Sequence, residues 1–239
     1  MKSFFKLFIV IILFISVFHH PKQADAAGKV ICIDPGHQKV GINKLEPIAP
    51  GSKSMKPKVS SGTAGIVTKK PEYVLVLEVS KKLQSELKKR GYKVYMTRTT
   101  HNVSLSNVDR AKYCNSKKPD LTIRVHADGS TNKNVSGIHV LYPSATYTKS
   151  INSKSKKAAE IVINELIKTT KAKKFNGKGL SPRTDLTGFN WSKHPVILPE
   201  IGFMSNKIED KKLSTKAYQQ KIAVGIANGV DKYYKNGKK

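Results

Sequence analysis

Apolar positions along this chain alternate between short unbroken runs and longer stretches of helical spacing. The first run, Val30-Ile31-Cys32-Ile33 within residues 29–33, is too short for a helix and is bounded by turn residues, as a strand buried on both faces requires. Comparable runs recur at 92–97, 121–125, 137–142 and 195–200. Between them the period changes. Over 72–90, Val76, Val79, Leu83 and Leu87 share one stripe that Gly91 ends, a helix signature that returns briefly at 106–115 and at greater length over 155–170 and 217–234. Two stretches, 38–70 and 175–193, show neither period; the first is rich in Gly, Pro, Ser and Lys and reads as a loop framing a site. Strands alternating with helices predict a single α/β domain with a twisted, mostly parallel sheet flanked by helices on both faces.

Such sheets bind ligands beyond the carboxyl ends of their strands. His37, His126 and Glu200 each fall at or just past the end of an apolar run, which places all three on one rim. His37 follows the turn Asp34-Pro35-Gly36, where the glycine lends the backbone freedom to project it over the sheet edge. Glu72 counts with positions 76, 79 and 83 on the inward stripe of its helix, where a charged group needs a partner, whereas Glu78 and Glu86 lie on the polar face. Glu200 closes an apolar strand, an expensive place for a carboxylate that has neither a cation to meet nor chemistry to perform. His101, His139 and His194 lack such placement. They sit in a polar loop, inside a strand that continues apolar, and before a strand, respectively. Two histidines with nearby glutamates have the composition of a zinc site, in which three ligands leave a position for water and a further carboxylate moves the proton. No His-Glu-x-x-His helix, Gly-x-Ser-x-Gly elbow, Walker loop or dinucleotide fingerprint competes with that reading.

The ends and the charge narrow the setting. Lys2 and Lys6, the apolar stretch 7–18 and Ala24-Asp25-Ala26 read as a secretory signal peptide over residues 1–26, leaving 27–239 as the catalytic domain. The apolar core is about a dozen residues where a spanning helix needs about 20, so membrane attachment would come only through an uncleaved signal. Removal of the signal takes three lysines and one aspartate, and the net charge falls from +28 to +26. That excess calls for anionic surroundings. Nucleic acid, anionic lipid and phosphate-rich wall polymers would all serve, but export favours the wall, and no RNA-binding or helix-turn-helix signature accompanies the lysines. Cys32 and Cys114 read as small buried hydrophobes, with a single bridge between them left open.

Asp34-Pro35-Gly36-His37, Glu72 heading a helix, Thr97-Arg98, the segment 105–110, Val125-His126-Ala127, Gly137 opening a strand and Glu200-Ile201-Gly202-Phe203-Met204-Ser205-Asn206 form an ordered set. In this the chain resembles, from about residue 29 to residue 234, the zinc N-acetylmuramoyl-L-alanine amidases of bacterial cell-wall turnover. The resemblance implies that His37, Glu72 and His126 hold Zn2+ and that Glu200 is the catalytic carboxylate. It implies peptidoglycan as substrate, cut at the amide between N-acetylmuramic acid and the L-alanine of the stem peptide, and a secreted, wall-associated enzyme; a monomer is expected. Three positions depart from the usual pattern: Gln38 replaces a glycine, Asp128 stands where asparagine is usual, and 35 positions separate His37 from Glu72, a longer interval than most members have. Glu46, inside that insertion, is the rival ligand, and Glu72 is preferred because a helix fixes a ligand better than a loop. Arg110 and Arg124 are candidates either for anchoring peptide carboxylates or for structural ion pairs. Two other functions remain open: a zinc peptidase cutting within the stem peptide, and a non-catalytic basic domain that binds wall polymers.

Overall fold

The structure, a computed structural model, describes residues 28–235, so the signal-peptide reading of 1–26 lies outside the described residues. Six strands form one sheet: β1 (Val30–Pro35), β4 (Lys93–Met96), β5 (Leu121–Asp128), β6 (His139–Pro143), β7 (Leu180–Arg183) and β8 (Val196–Phe203). Their order is β4-β1-β5-β8-β6-β7. Every neighbouring pair is parallel except β6 with β8, so the expectation of a mostly parallel sheet holds.

Strand side chains alternate between faces, and here the alternation sorts core from site. Ile31, Ile33, Leu121, Ile123, Val125 and Ile197 enter the larger core, packed with α1 (Glu72–Lys89), α3 (Lys149–Thr170) and α6 (Lys216–Lys235). Cys32, Asp34, Arg124, His126, Leu198 and Glu200 occupy the alternate positions, on the side covered by α2 (Asn107–Ser116) and α4 (Thr187–Asn190). A disulfide joins Cys32 to Cys114 of α2, closing the possibility the sequence left open.

The helix starts follow local chemistry. Pro71 precedes α1, and its preset φ suits the entry to a helix. Ser106 and Asp109 form a reciprocal capping box at the start of α2. The α3 helix begins at Lys149, six residues before its apolar spacing becomes regular, because its first turns are mostly polar and exposed.

Three differences from the sequence reading matter for the site. Residues 38–70 are not all irregular: β2 (Ile42–Pro47) and β3 (Met55–Val59) form an antiparallel hairpin whose mostly exposed or half-buried, lysine- and proline-bearing strands have no apolar alternation to reveal them. Likewise β7 and α4 occupy part of 175–193, and α5 (Lys207–Leu213) follows the last strand. Finally, β5 and β8 run past His126 and Glu200 to Asp128 and Phe203, so these two residues sit within paired strand instead of at its end. No helix among the described residues is long and apolar enough to cross a membrane.

Candidate metal and catalytic site

The turn after β1 is clamped from two directions. The Gly36 amide donates to the Val125 carbonyl (2.9 Å), while Arg98 donates to the Pro35 and Gly36 carbonyls (3.0 and 2.8 Å) and Arg110 to those of Pro35 and His37 (2.8 and 2.9 Å). Arg110 and Arg124 also both bind Asp34, at 2.9 Å each, in a fully buried cluster. The ion pair that the sequence offered as one role for these arginines is therefore present. Gln38 joins them, its Oε1 accepting from Arg110 (2.9 Å) and from the Leu105 amide (3.1 Å).

This clamp holds His37 itself at φ 58°, a left-handed conformation costing a non-glycine residue roughly 1–2 kcal/mol. The sequence reading had assigned that freedom to Gly36. Its contribution is space: a Cβ on Gly36 would lie 2.3–2.6 Å from the His126 ring, so only glycine lets the ring lie against this turn.

His37, Glu72 and His126 converge. His37 Nε2 lies 3.1 Å from His126 Nδ1 and 3.1 Å from Glu72 Oε1, and the third edge, His126 Nδ1 to Glu72 Oε1, is 3.2 Å. His37 and Glu72 are oriented from behind. His37 Nδ1 donates to the Ser60 carbonyl (2.9 Å); a carbonyl can only accept, which leaves a lone pair on Nε2 of the neutral ring. Glu72 Oε1 accepts from the Ala127 amide (3.1 Å) and Oε2 from the Thr63 amide (3.0 Å). Two acceptor atoms therefore face each other across one edge of the triangle, an arrangement that needs a proton or a cation at its centre. Zinc bound tetrahedrally at about 2.0–2.2 Å sets its ligand atoms roughly 3.3 Å apart, so this triangle and its two imidazoles and one carboxylate fit the ion.

The electrostatics point the same way. Burial opposes charge on both histidines, but Glu72 outweighs it at His37, whose pKa rises, while His126 is pushed down to about 4. Burial also works against the Glu72 carboxylate, yet His126 and His37 hold it well below the usual range. Glu46, the rival, is elsewhere: it lies on the hairpin, buried, accepting from the Val108 amide (3.2 Å).

Glu200 stands directly across from His126 in the β5–β8 register. Burial, reinforced by the charges of Glu72 and Asp128 and opposed by Arg183, raises its pKa well above the carboxylate range. Its Oε2 is buried without a hydrogen-bond partner among the described residues, as is His126 Nε2. His139 is set aside by the apolar pattern as a residue inside a strand. It is Glu200's partner in the β6–β8 register, bonds Asp128 (3.2 Å) and Ser181 (2.8 Å), and is buried against Phe175 and Phe203; the antiparallel pairing that puts it there left no trace in the apolar pattern.

His37, His126 and Glu200 are shared by two cavities, of about 760 Å³ and about 250 Å³, which open on either side of them. The arrangement can hold a divalent metal beside a buried, proton-binding carboxylate, with room on both sides for a divided substrate.

Comparison with known proteins identifies the family. Residues 31–232 match the family model described as N-acetylmuramoyl-L-alanine amidase. An N-acetylmuramoyl-L-alanine amidase of Mycobacterium tuberculosis is 28% identical over 214 residues, covering 87% of each chain, and a germination-specific amidase of Bacillus subtilis is 27% identical over 224 residues, covering 90% of this chain and 83% of its own. The crystal structure of an N-acetylmuramyl-L-alanine amidase from Mycobacterium smegmatis superposes with a TM-score of 0.81 at 26% identity, covering 88% of this chain and 99% of that one. Another, from Clostridium difficile, gives 0.70 at 26% identity over 88% and 98%. The chain therefore belongs to the N-acetylmuramoyl-L-alanine amidase family, hydrolases of the amide that joins N-acetylmuramic acid to L-alanine in peptidoglycan.

Proposed function

We propose that this amidase is exported and zinc-dependent, with His37, Glu72 and His126 as the zinc ligands and Glu200 as the proton carrier. The observation that carries the reading is the triangle of His37 Nε2, Glu72 Oε1 and His126 Nδ1, three atoms of metal-ligating type 3.1–3.2 Å apart. When bound there, zinc supplies a Lewis acid that polarises the scissile carbonyl and acidifies a water molecule. Glu200 does the rest of the proton work. Its buried carboxylate takes a proton from the attacking water and returns it to the departing L-alanine nitrogen as the C–N bond breaks. Burial and the neighbouring charges of Glu72 and Asp128 raise the pKa of this carboxylate, which strengthens its hold on the proton it carries between the two halves of that cycle.

The setting follows from the ends and the charge. Residues 1–26 act as an export signal and 27–239 as the catalytic domain, and the cationic surface suits the phosphate-rich polymers of the wall that holds the substrate. Amino-terminal sequencing of the exported protein should find a start near Ala27; a start at Met1 would mean a retained anchor.

The chemistry is tested by Glu200→Gln. It keeps the shape but cannot accept a proton, so it should retain about one zinc per chain while turnover of purified peptidoglycan falls roughly 10²-fold or more. Mass spectrometry of the wild-type digest should show intact stem peptides with a new L-alanine amino group. Near-normal turnover by the variant, or its rescue by added zinc, would remove Glu200 from the proton role.

A further inference from the structure

The two cavities that meet at His37, His126 and Glu200 differ in charge. The larger is walled by small neutral residues, Gly62, Thr63, Gly65, Gly129, Ser130 and Thr131. Its two lysines, Lys69 and Lys133, are exposed and turn onto backbone carbonyls of Ile66 and Ser130, and Asp128 brings a carboxylate. The smaller cavity is cationic on balance. Arg124, Arg183 and Lys56 line it, against Asp185, which answers two of them, and Glu200, which both cavities share.

Both carboxylates behind this wall are shared twice. Arg183 donates through Nε and Nη2 to Asp185 (2.8 and 2.9 Å), and Lys56, from the inserted hairpin, donates to the same carboxylate (2.9 Å). Asp34 in turn serves both Arg124 and Arg110. Four cations thus share two carboxylates. Among the described residues, Nη1 of Arg124 and Nη1 of Arg183 have no hydrogen-bond partner, their other nitrogens being the ones engaged. Gly188 makes the room: a Cβ there would lie 1.6 Å from Arg124 Nη1.

Fixed guanidinium groups with spare N–H donors in a wall where cations outnumber carboxylates match a further carboxylate. The two halves of the substrate differ in the same sense. The muramoyl half spends its only carboxyl group in the scissile amide and is neutral. The peptide half carries free carboxylate beyond L-alanine.

We propose that the smaller cavity is the subsite for the stem peptide, that Arg183 and Arg124 receive a carboxylate of it, and that the sugar lies in the larger cavity. This rests on the amidase reading and adds a direction: the amine side of the scissile bond points toward β7 and the hairpin. Lys56 is a positioning residue. It shares Asp185, so that one carboxylate fixes Arg183 without cancelling the charge of the wall.

The test compares two N-acetylmuramoyl dipeptides that differ only in bearing free carboxylates or carboxamides after L-alanine, with the zinc-loaded full enzyme. Wild type should prefer the acid by about 10-fold or more in kcat/KM, mostly through KM, the size expected of a charge-assisted hydrogen bond. In Arg183→Gln the preference should shrink to near unity, and Arg183→Lys should keep part of it. Zinc content and melting temperature of each variant are read alongside. Equal use of acid and amide by wild type would overturn the assignment, and this comparison needs no variant to fold. Equal slowing of both substrates in Arg183→Gln would overturn it too, by showing Arg183 to be structural. Failure to release L-alanine amino groups from peptidoglycan at all would instead overturn the amidase reading beneath it.

Discussion

Asp34 illustrates how one residue supports the whole site. It is fully buried, and burial alone would raise its pKa; Arg110, Arg124 and the Thr97 hydroxyl outweigh that and hold it well below the usual carboxylate range. A depressed pKa stabilises the fold above the unfolded value of about 3.9. As pH falls below that value the unfolded chain takes up the proton first, so this share of the stability drains away until the folded pKa is reached. Asp34→Asn should abolish the share, leaving two buried arginines uncompensated and costing about 3–5 kcal/mol near neutral pH. Urea unfolding between about pH 7 and pH 3 measures both effects. A variant with wild-type stability at neutral pH, or with an unchanged acid limb, would show that the arginines are compensated elsewhere.

Elements matter here through what they tether. The short helix α5 carries Asp210, which has no exposed surface and accepts from the Val67 and Thr68 amides (2.7 and 2.8 Å) and the Thr68 hydroxyl (2.6 Å). Through it the loop that leads into α1 is fixed to the far end of the chain, and that loop walls the larger cavity and supplies the Thr63 amide to Glu72. Asp210→Ala removes three charge-assisted bonds and strands their donors, so a loss of about 3 kcal/mol is expected. For a domain of this size that is roughly a 6–12 °C drop in Tm, measured by circular dichroism. A shift within about 2 °C would mean that water replaces the carboxylate at no cost. The hairpin β2–β3 is pinned comparably, by Asn107 to the Lys58 carbonyl, by Trp191 to that of Pro47 and by Lys56 to Asp185, which is why an insertion without an apolar pattern is ordered.

For the whole molecule, the disulfide ties the interior strand β1 to α2 across 82 positions of sequence. Closing so long a loop removes unfolded-state entropy worth about 4.5 kcal/mol in the chain-entropy picture, with 2–4 kcal/mol typical of measured bridges. The Cys32→Ala, Cys114→Ala double variant should therefore melt well below the oxidised enzyme, and reductant should lower the wild-type Tm toward it. An unchanged Tm under reduction, with free thiols verified by mass, would show that the bridge adds nothing to the surrounding core. Such a bridge suits a protein that folds outside the cytoplasm.

The apolar pattern by itself determined the α/β class, the strands β1, β4, β5 and β8, the helix that carries Glu72, and the carboxyl-terminal side of the sheet to which His37, His126 and Glu200 belong, because a strand buried on both faces must show an unbroken apolar run and a packed helix must show an apolar stripe. Only the tertiary structure decided which glutamate meets the two histidines. Glu46 and Glu72 are both buried, and the choice between them is made by the amides of Thr63 and Ala127, which come from distant parts of the chain. The same holds for Arg110 and Arg124, whose partner Asp34 lies 76 and 90 residues away, and for His139 and Arg183, which reach the site through an antiparallel strand and its neighbour that carry no distinctive pattern. A charge in a sequence states that a partner is needed. Which partner it finds is set by the packing of strands that are neighbours only in the fold.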